Sequence, residues 1–179
     1  MYTSVVVGNP KPNSRTLSLA RAVARALTPD HFESTFELDL ALHTDEIFSW
    51  PSESMAALSD RVAASNLLIV ATPTYKASYS GLLKAFLDRY SHRALHNTLA
   101  VAVMTGGGMD HAMSPEAHLR PLLIELGAVV PCASLYFLTS RMHEMDAVVE
   151  GWLAENLLAI TALRAAVGVR SEAGQVTVG

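Results

Sequence analysis

The chain predicts an α/β fold: a doubly wound, five-stranded parallel sheet with helices on both faces. Three observations carry that reading. Short apolar runs alternate with longer segments of helical periodicity, five times in succession. One run, Leu67-Leu68-Ile69-Val70-Ala71, is continuously apolar, as strands covered on both faces are. Another, Phe32 to Leu38, alternates apolar with polar residues and reads as a half-buried edge strand. An edge strand in second place favours the order 2-1-3-4-5.

The elements follow in turn. Ser4 to Gly8 is a strand ending on glycine, and Leu17 to Leu27 a helix with Arg21 and Arg25 on its polar face. After the Phe32–Leu38 strand, Ser54 to Ala64 is a helix capped by Ser52 or Ser54. Leu67 to Ala71 is the central strand; a loop, Thr72 to Ser80, leads to a helix from Gly81 to about Arg89. Leu99 to Met104 is the fourth strand and ends in Thr105-Gly106-Gly107-Gly108. Ser114-Pro115-Glu116 opens a helix that Gly127 closes, proline at the first helical position and glycine just past the end. Pro121 lies inside that run, where it clashes with the Ala117 carbonyl and predicts a kink or π-bulge. Val129 to Phe137 is the last strand and Asp146 to about Val167 the last helix. Residues 1–167 then form one domain, and residues 168–179, without helical periodicity, a loose tail.

Composition narrows the function. A net charge of −4 over 179 residues argues against a nucleic-acid surface, which needs a basic patch. Half the chain is hydrophobic and the mean hydropathy is +0.26. Either apolar surface is buried between subunits or the interior is rich in Ala and Leu. Cys132, the single cysteine, excludes an intrachain disulfide and a multi-cysteine zinc site, and its apolar setting reads as a buried, inert thiol. His92 and His96 have the spacing of a metal pair on a helix but lack a third ligand, so no metal is expected. No apolar run approaches the roughly 20 residues of a membrane span, and no signal peptide is seen. A reducing cytoplasm is the expected location.

In doubly wound sheets ligands bind beyond the carboxyl ends of the strands, near the switch point. Three loops meet there. In Gly8-Asn9-Pro10-Lys11-Pro12-Asn13-Ser14-Arg15-Thr16, two hydroxyls, a guanidinium and a helix N-terminus make an anion site without a glycine-rich cradle. A plain cap by Asn13 or Ser14 explains the serine but not Arg15, a cation where the helix dipole disfavours one. The second loop, with Pro73, Thr74, Tyr75, Lys76, Ser78 and Tyr79, can flank a flat heterocycle or simply connect two elements. The third, Thr105 to Gly108, permits close approach of a planar ligand or is a flexible turn.

With these residues the chain resembles the NADPH-dependent FMN reductases, which are flavodoxin-like enzymes. It is most similar to those that supply reduced flavin to alkanesulfonate monooxygenases. The resemblance rests on Gly8-Asn9-Pro10 with Ser14-Arg15-Thr16, on Ala71 to Gly81 with Leu83-Lys84, and on Thr105-Gly106-Gly107 and Leu119-Arg120-Pro121. It implies an FMN phosphate on Ser14, Arg15 and Thr16, with Asn9 beside it where relatives often carry serine. It implies an isoalloxazine between the Pro73–Ser78 loop (Pro73, Thr74, Tyr75, Lys76, Ser78) and the Thr105–Gly108 loop (Thr105, Gly106, Gly107, Gly108). NADPH or NADH is the implied donor, with hydride passing to flavin N5 and no side chain needed as nucleophile. A homodimer or homotetramer and a flavin-dependent monooxygenase partner are implied, as is a π-helical insertion near Ala117-His118. Two other readings share the scaffold: an FMN-bound quinone or azo-dye reductase, and a non-enzymatic electron carrier of flavodoxin type.

Overall fold

The computed structural model describes residues 2–162 and 165. Strands β1 (Thr3–Val7), β2 (Phe36–Asp39), β3 (Leu67–Pro73), β4 (Leu99–Gly106) and β5 (Leu135–Leu138) pair in parallel in the order β2-β1-β3-β4-β5. Alternate strand residues face opposite layers, which splits the interior in two. Val5, Val7, Ile69, Val101 and Val103 pack under α1 (Arg15–Leu27) and α5 (Met145–Glu155). Val6, Leu68, Val70, Ala102 and Met104 pack under α2 (Glu53–Ala63), α3 (Gly81–Leu87) and α4 (Arg120–Glu125). The expected order and the two covered faces are therefore both present.

Three expected elements differ by more than two residues or are interrupted. The edge strand starts at Phe36, not Phe32, because Pro29 opens a 3-10 helix, Pro29–Ser34, in the chain ahead of it. Phe32 takes the Arg25 guanidinium over its ring at 4.7 Å instead of joining the sheet. The last strand is Leu135–Leu138, not Val129 to Phe137. Val129 still bridges Leu99, but Pro131 has no N–H to continue the ladder. The last helix is interrupted at Asn156, whose side-chain amide donates to the Trp152 carbonyl, and 157–162 resume it. The expected helix end at Val167 and the tail 168–179 lie outside the described residues.

Pro121 has the predicted consequence. Residues Pro115–Leu119 form a π-helix, in which the Arg120 N–H reaches the Pro115 carbonyl five residues back. The wider turn accommodates the carbonyl that Pro121 cannot bond. Two flanking side chains tie this turn to the approach of β5. Glu116 Oε1 accepts the Ser134 N–H at 2.6 Å, and Arg120 Nη1 donates to the Cys132 carbonyl at 2.7 Å. The helix from Gly81 uses its large apolar side chains inside the chain. Leu83, Phe86 and Leu87 are buried, and Leu82 and Ala85 are half-buried against the core.

Candidate functional site

Gly8 follows β1 at its carboxyl end, and its conformation is dictated by packing. A Cβ there would stand 2.4 Å from Leu83 Cβ and 3.1 Å from Leu83 Cα, so only glycine lets α3 lie this close. The Ser80 hydroxyl donates to the Gly8 carbonyl and caps α3 by accepting the Leu83 N–H.

The loop beyond is shaped by its own side chains. Asn9 Oδ1 accepts the Lys11 N–H at 2.9 Å, and Asn9 Nδ2 donates to Thr16 Oγ1 at 3.0 Å. Thr16 Oγ1 in turn lies 2.8 Å from Thr105 Oγ1, a buried hydroxyl pair linking α1 to β4. Ser14 is the N-cap of α1; its hydroxyl accepts the Leu17 N–H at 3.2 Å. The first turn of α1 carries no acidic residue but does carry Arg15, whose Nη1 donates to the Thr139 carbonyl at 3.3 Å. The leading amides of a helix have no intrahelical acceptor and favour an anion.

The other two loops are joined. β3 and β4 run further than the sequence suggests, so Pro73 and Thr105 are paired strand residues, and the Thr74 N–H donates to the Thr105 carbonyl at 2.7 Å. Tyr75 and Ser78 exchange backbone hydrogen bonds at 2.8 and 3.1 Å around Lys76 (φ +50°) and Ala77 (φ +63°). Such a primed turn is ordinarily filled by Gly or Asn, so these two residues hold backbone strain at the site. Thr74 Oγ1 is buried with no partner. A Cβ on Gly106 would lie 1.8 Å from the Tyr136 hydroxyl, which donates to the Gly108 carbonyl at 2.6 Å. Gly106 thus admits the ring that anchors the glycine loop, whereas a Cβ on Gly107 would meet nothing within 4 Å.

These loops enclose a cavity of about 370 Å³. Of the residues singled out in the sequence, Asn9, Ser14, Arg15, Thr16, Pro73, Thr74, Tyr75, Thr105, Gly106 and Gly107 line it. Lys76, Ser78 and Gly108 are not among its lining residues: the first two stand in the primed turn, and the Gly108 carbonyl is engaged by Tyr136. Lys11, Asn13 and Thr139 join the lining without having been assigned there. Thr139 comes from the end of β5, over a hundred positions from Arg15, and no local pattern marks it. Lys11 and Arg15 are the charged side chains of the lining, so its potential suits an anion. Cys132 is buried elsewhere, and burial pushes its thiol pKa up against the opposing pull of Arg120. The described lining offers hydroxyls, amides and cations, the equipment for binding rather than for nucleophilic attack.

Known proteins resemble this chain in sequence and in fold. The family model for NADPH-dependent FMN reductase matches residues 1–144. An FMN reductase (NADPH) of Escherichia coli (strain K12) is 31% identical over 132 residues, 72% of this chain and 68% of that protein. An NADH-dependent FMN reductase SfnF of Pseudomonas putida is 32% identical over 124 residues, 66% of this chain and 67% of that one. A crystal structure of an NADH:FMN oxidoreductase in its apo form superposes with a TM-score of 0.78 at 28% identity, covering 91% of this chain and 88% of that one. The three-loop cavity therefore stands on a chain that belongs to the NADPH-dependent FMN reductase family, oxidoreductases that work with FMN and a nicotinamide donor.

Proposed function

We propose that this chain binds FMN in the three-loop cavity, reduces it with NADPH or NADH, and hands the reduced flavin to a flavin-dependent monooxygenase. The observation that carries the reading is the chemical asymmetry of the cavity. One end joins the α1 N-terminus to Lys11 and Arg15; the other joins the β3 and β4 ends to the open backbone at Gly107 and the unpartnered Thr74 hydroxyl. A phosphorylated, flat heterocycle has the same asymmetry. When bound, FMN supplies the hydride-accepting N5 for the nicotinamide.

The chain's own residues then bind and orient. The α1 amides with Arg15 and Lys11 hold the phosphate. Pro73, Thr74 and Tyr75 bound one edge of the ring site, and the Thr74 hydroxyl gains the partner it lacks. The glycine backbone at 106–107 approaches the other edge closely and presents dipoles to the charge that reduction places on the ring. Tyr136, bonded to the Gly108 carbonyl, keeps that backbone from moving away. Lys76, in the exposed primed turn, acts from the rim.

A homodimer or homotetramer is part of the same proposal. The support is a run of large apolar side chains on one segment, Leu42 (70% exposed), Phe48 (76%) and Trp50 (62%). Arg89 orders this segment by donating to the Ile47 and Ser49 carbonyls and lying over the Trp50 ring at 4.2 Å. Assembly predicts sedimentation well above the 19.2 kDa monomer mass at micromolar concentration. The functional test is oxidation of NADPH and NADH by purified protein with and without added FMN. FMN-dependent oxidation, followed by reduced-flavin delivery to a monooxygenase, is expected. Oxidation without added FMN by a tightly coloured protein that reduces quinones or azo dyes would refute delivery.

A further inference from the structure

We propose that Asp39, which does not line the cavity, is a positioning residue that holds the β1–α1 loop in the shape that distinguishes FMN from riboflavin. The proposal rests on the phosphate end assigned above. Asp39 is the last residue of β2 and pairs in register with Val7, one position before Gly8. Its side chain is buried, 8% exposed, and both carboxylate oxygens are engaged. Oδ1 accepts the Ala41 N–H at 3.3 Å and caps the 3-10 helix Leu40–Leu42. Oδ2 accepts the Asn13 N–H at 3.1 Å, reaching across 26 positions of sequence.

That second bond bears on the site. Asn13 lies at φ +51°, a left-handed conformation, directly before the N-cap Ser14. Its peptide sets the direction in which the chain enters α1 and hence the aim of the leading amides. Capping residues 40–42 needs one acceptor, which Ser or Asn also provides. Only a carboxylate offers two fully acceptor oxygens for N–H groups from two different segments. A negative charge beside an anion site repels the anion, so its presence there calls for a compensating role. Without Oδ2 the Asn13 conformation relaxes, and Ser14 with the amides after it turns from the phosphate position. Riboflavin lacks only the phosphate, so its binding is the internal control.

The test is titration of the full chain, as wild type, Asp39→Ala and Asp39→Asn, with FMN and with riboflavin, followed by flavin fluorescence alongside thermal melts. Asp39→Ala is expected to lose FMN affinity on the order of ten-fold, the scale of a charge-assisted hydrogen bond, with riboflavin changed by less than about two-fold. Asp39→Asn keeps one acceptor and falls between. Equal losses for both flavins, or unchanged FMN affinity, overturn the positioning role. So does tighter FMN binding in Asp39→Asn, because the charge rather than the bond then governs the site. If Asp39→Ala does not fold, Asp39→Asn decides on the same outcomes. A wild type that binds riboflavin as tightly as FMN refutes the phosphate assignment instead, which separates the two failures.

Discussion

Replacing Gly8 by alanine puts a methyl 2.4 Å from the Leu83 Cβ and 3.1 Å from its Cα. Carbon atoms rest at about 3.5–4.0 Å, so the first turn of α3 has to retreat by about 1 Å. Rotation offers no relief, since Leu83 Cβ is fixed to the backbone and the side chain is fully buried. The retreat also pulls on Ser80, whose hydroxyl joins the Gly8 carbonyl to the cap of α3. Overpacking of this kind costs about 1–3 kcal/mol and a weakened cap up to ~1 more, which places the loss near 2–3 kcal/mol. With a urea m-value of about 2 kcal/mol/M, the unfolding midpoint drops by about 1–1.5 M. Gly107→Ala is the contrast: its methyl meets nothing within 4 Å, so stability stays within about 0.5 kcal/mol of wild type while FMN affinity falls as the open ring edge fills. An unshifted midpoint in Gly8→Ala refutes the close-packing argument. Equal destabilisation of both variants refutes the division of labour between the two glycines.

Arg15→Ala is expected to weaken FMN binding by about 1.5–3 kcal/mol without unfolding the domain, since its bond to the Thr139 carbonyl is exposed; unchanged affinity by fluorescence titration contradicts it. Ser14→Ala removes the α1 cap and lowers stability by about 1 kcal/mol, read from urea unfolding. Ala77→Gly relieves a left-handed alanine and raises stability by about 0.5 kcal/mol in a thermal melt, with a lowered melting temperature as the contrary result. Cys132, buried and with its thiol pKa pushed up, resists iodoacetamide at neutral pH in the native protein. Cys132→Ala keeps NAD(P)H turnover with FMN, and a loss of turnover with intact circular dichroism and FMN binding contradicts a mechanism without a protein nucleophile.

Pro121 shows how far local chemistry reaches. A residue without an N–H, inside a helical run, forces a local accommodation that sequence predicts, and the π-helix at Pro115–Leu119 is that accommodation. The limits of the second and last strands are less legible, because the apolar patterns of 32–38 and 129–137 run past the residues that pair. The lining residues Ser14, Arg15 and Thr16 are legible in the sequence as well, because they are consecutive and a cation in a first turn is conspicuous.

What the chain alone determined is the set of periodic elements, their order in the sheet, and the three loops that meet at its carboxyl edge. Periodicity is a short-range property, and the handedness of strand–helix–strand units does the rest. Only the folded structure decided that Gly8 serves α3, that Gly106 serves Tyr136, that Thr139 receives Arg15, and that Asp39 holds Asn13. These contacts join residues far apart in sequence, and each follows from strand register and the depth at which a helix packs. No local pattern encodes such distances, because they are properties of the whole sheet and its covering layers.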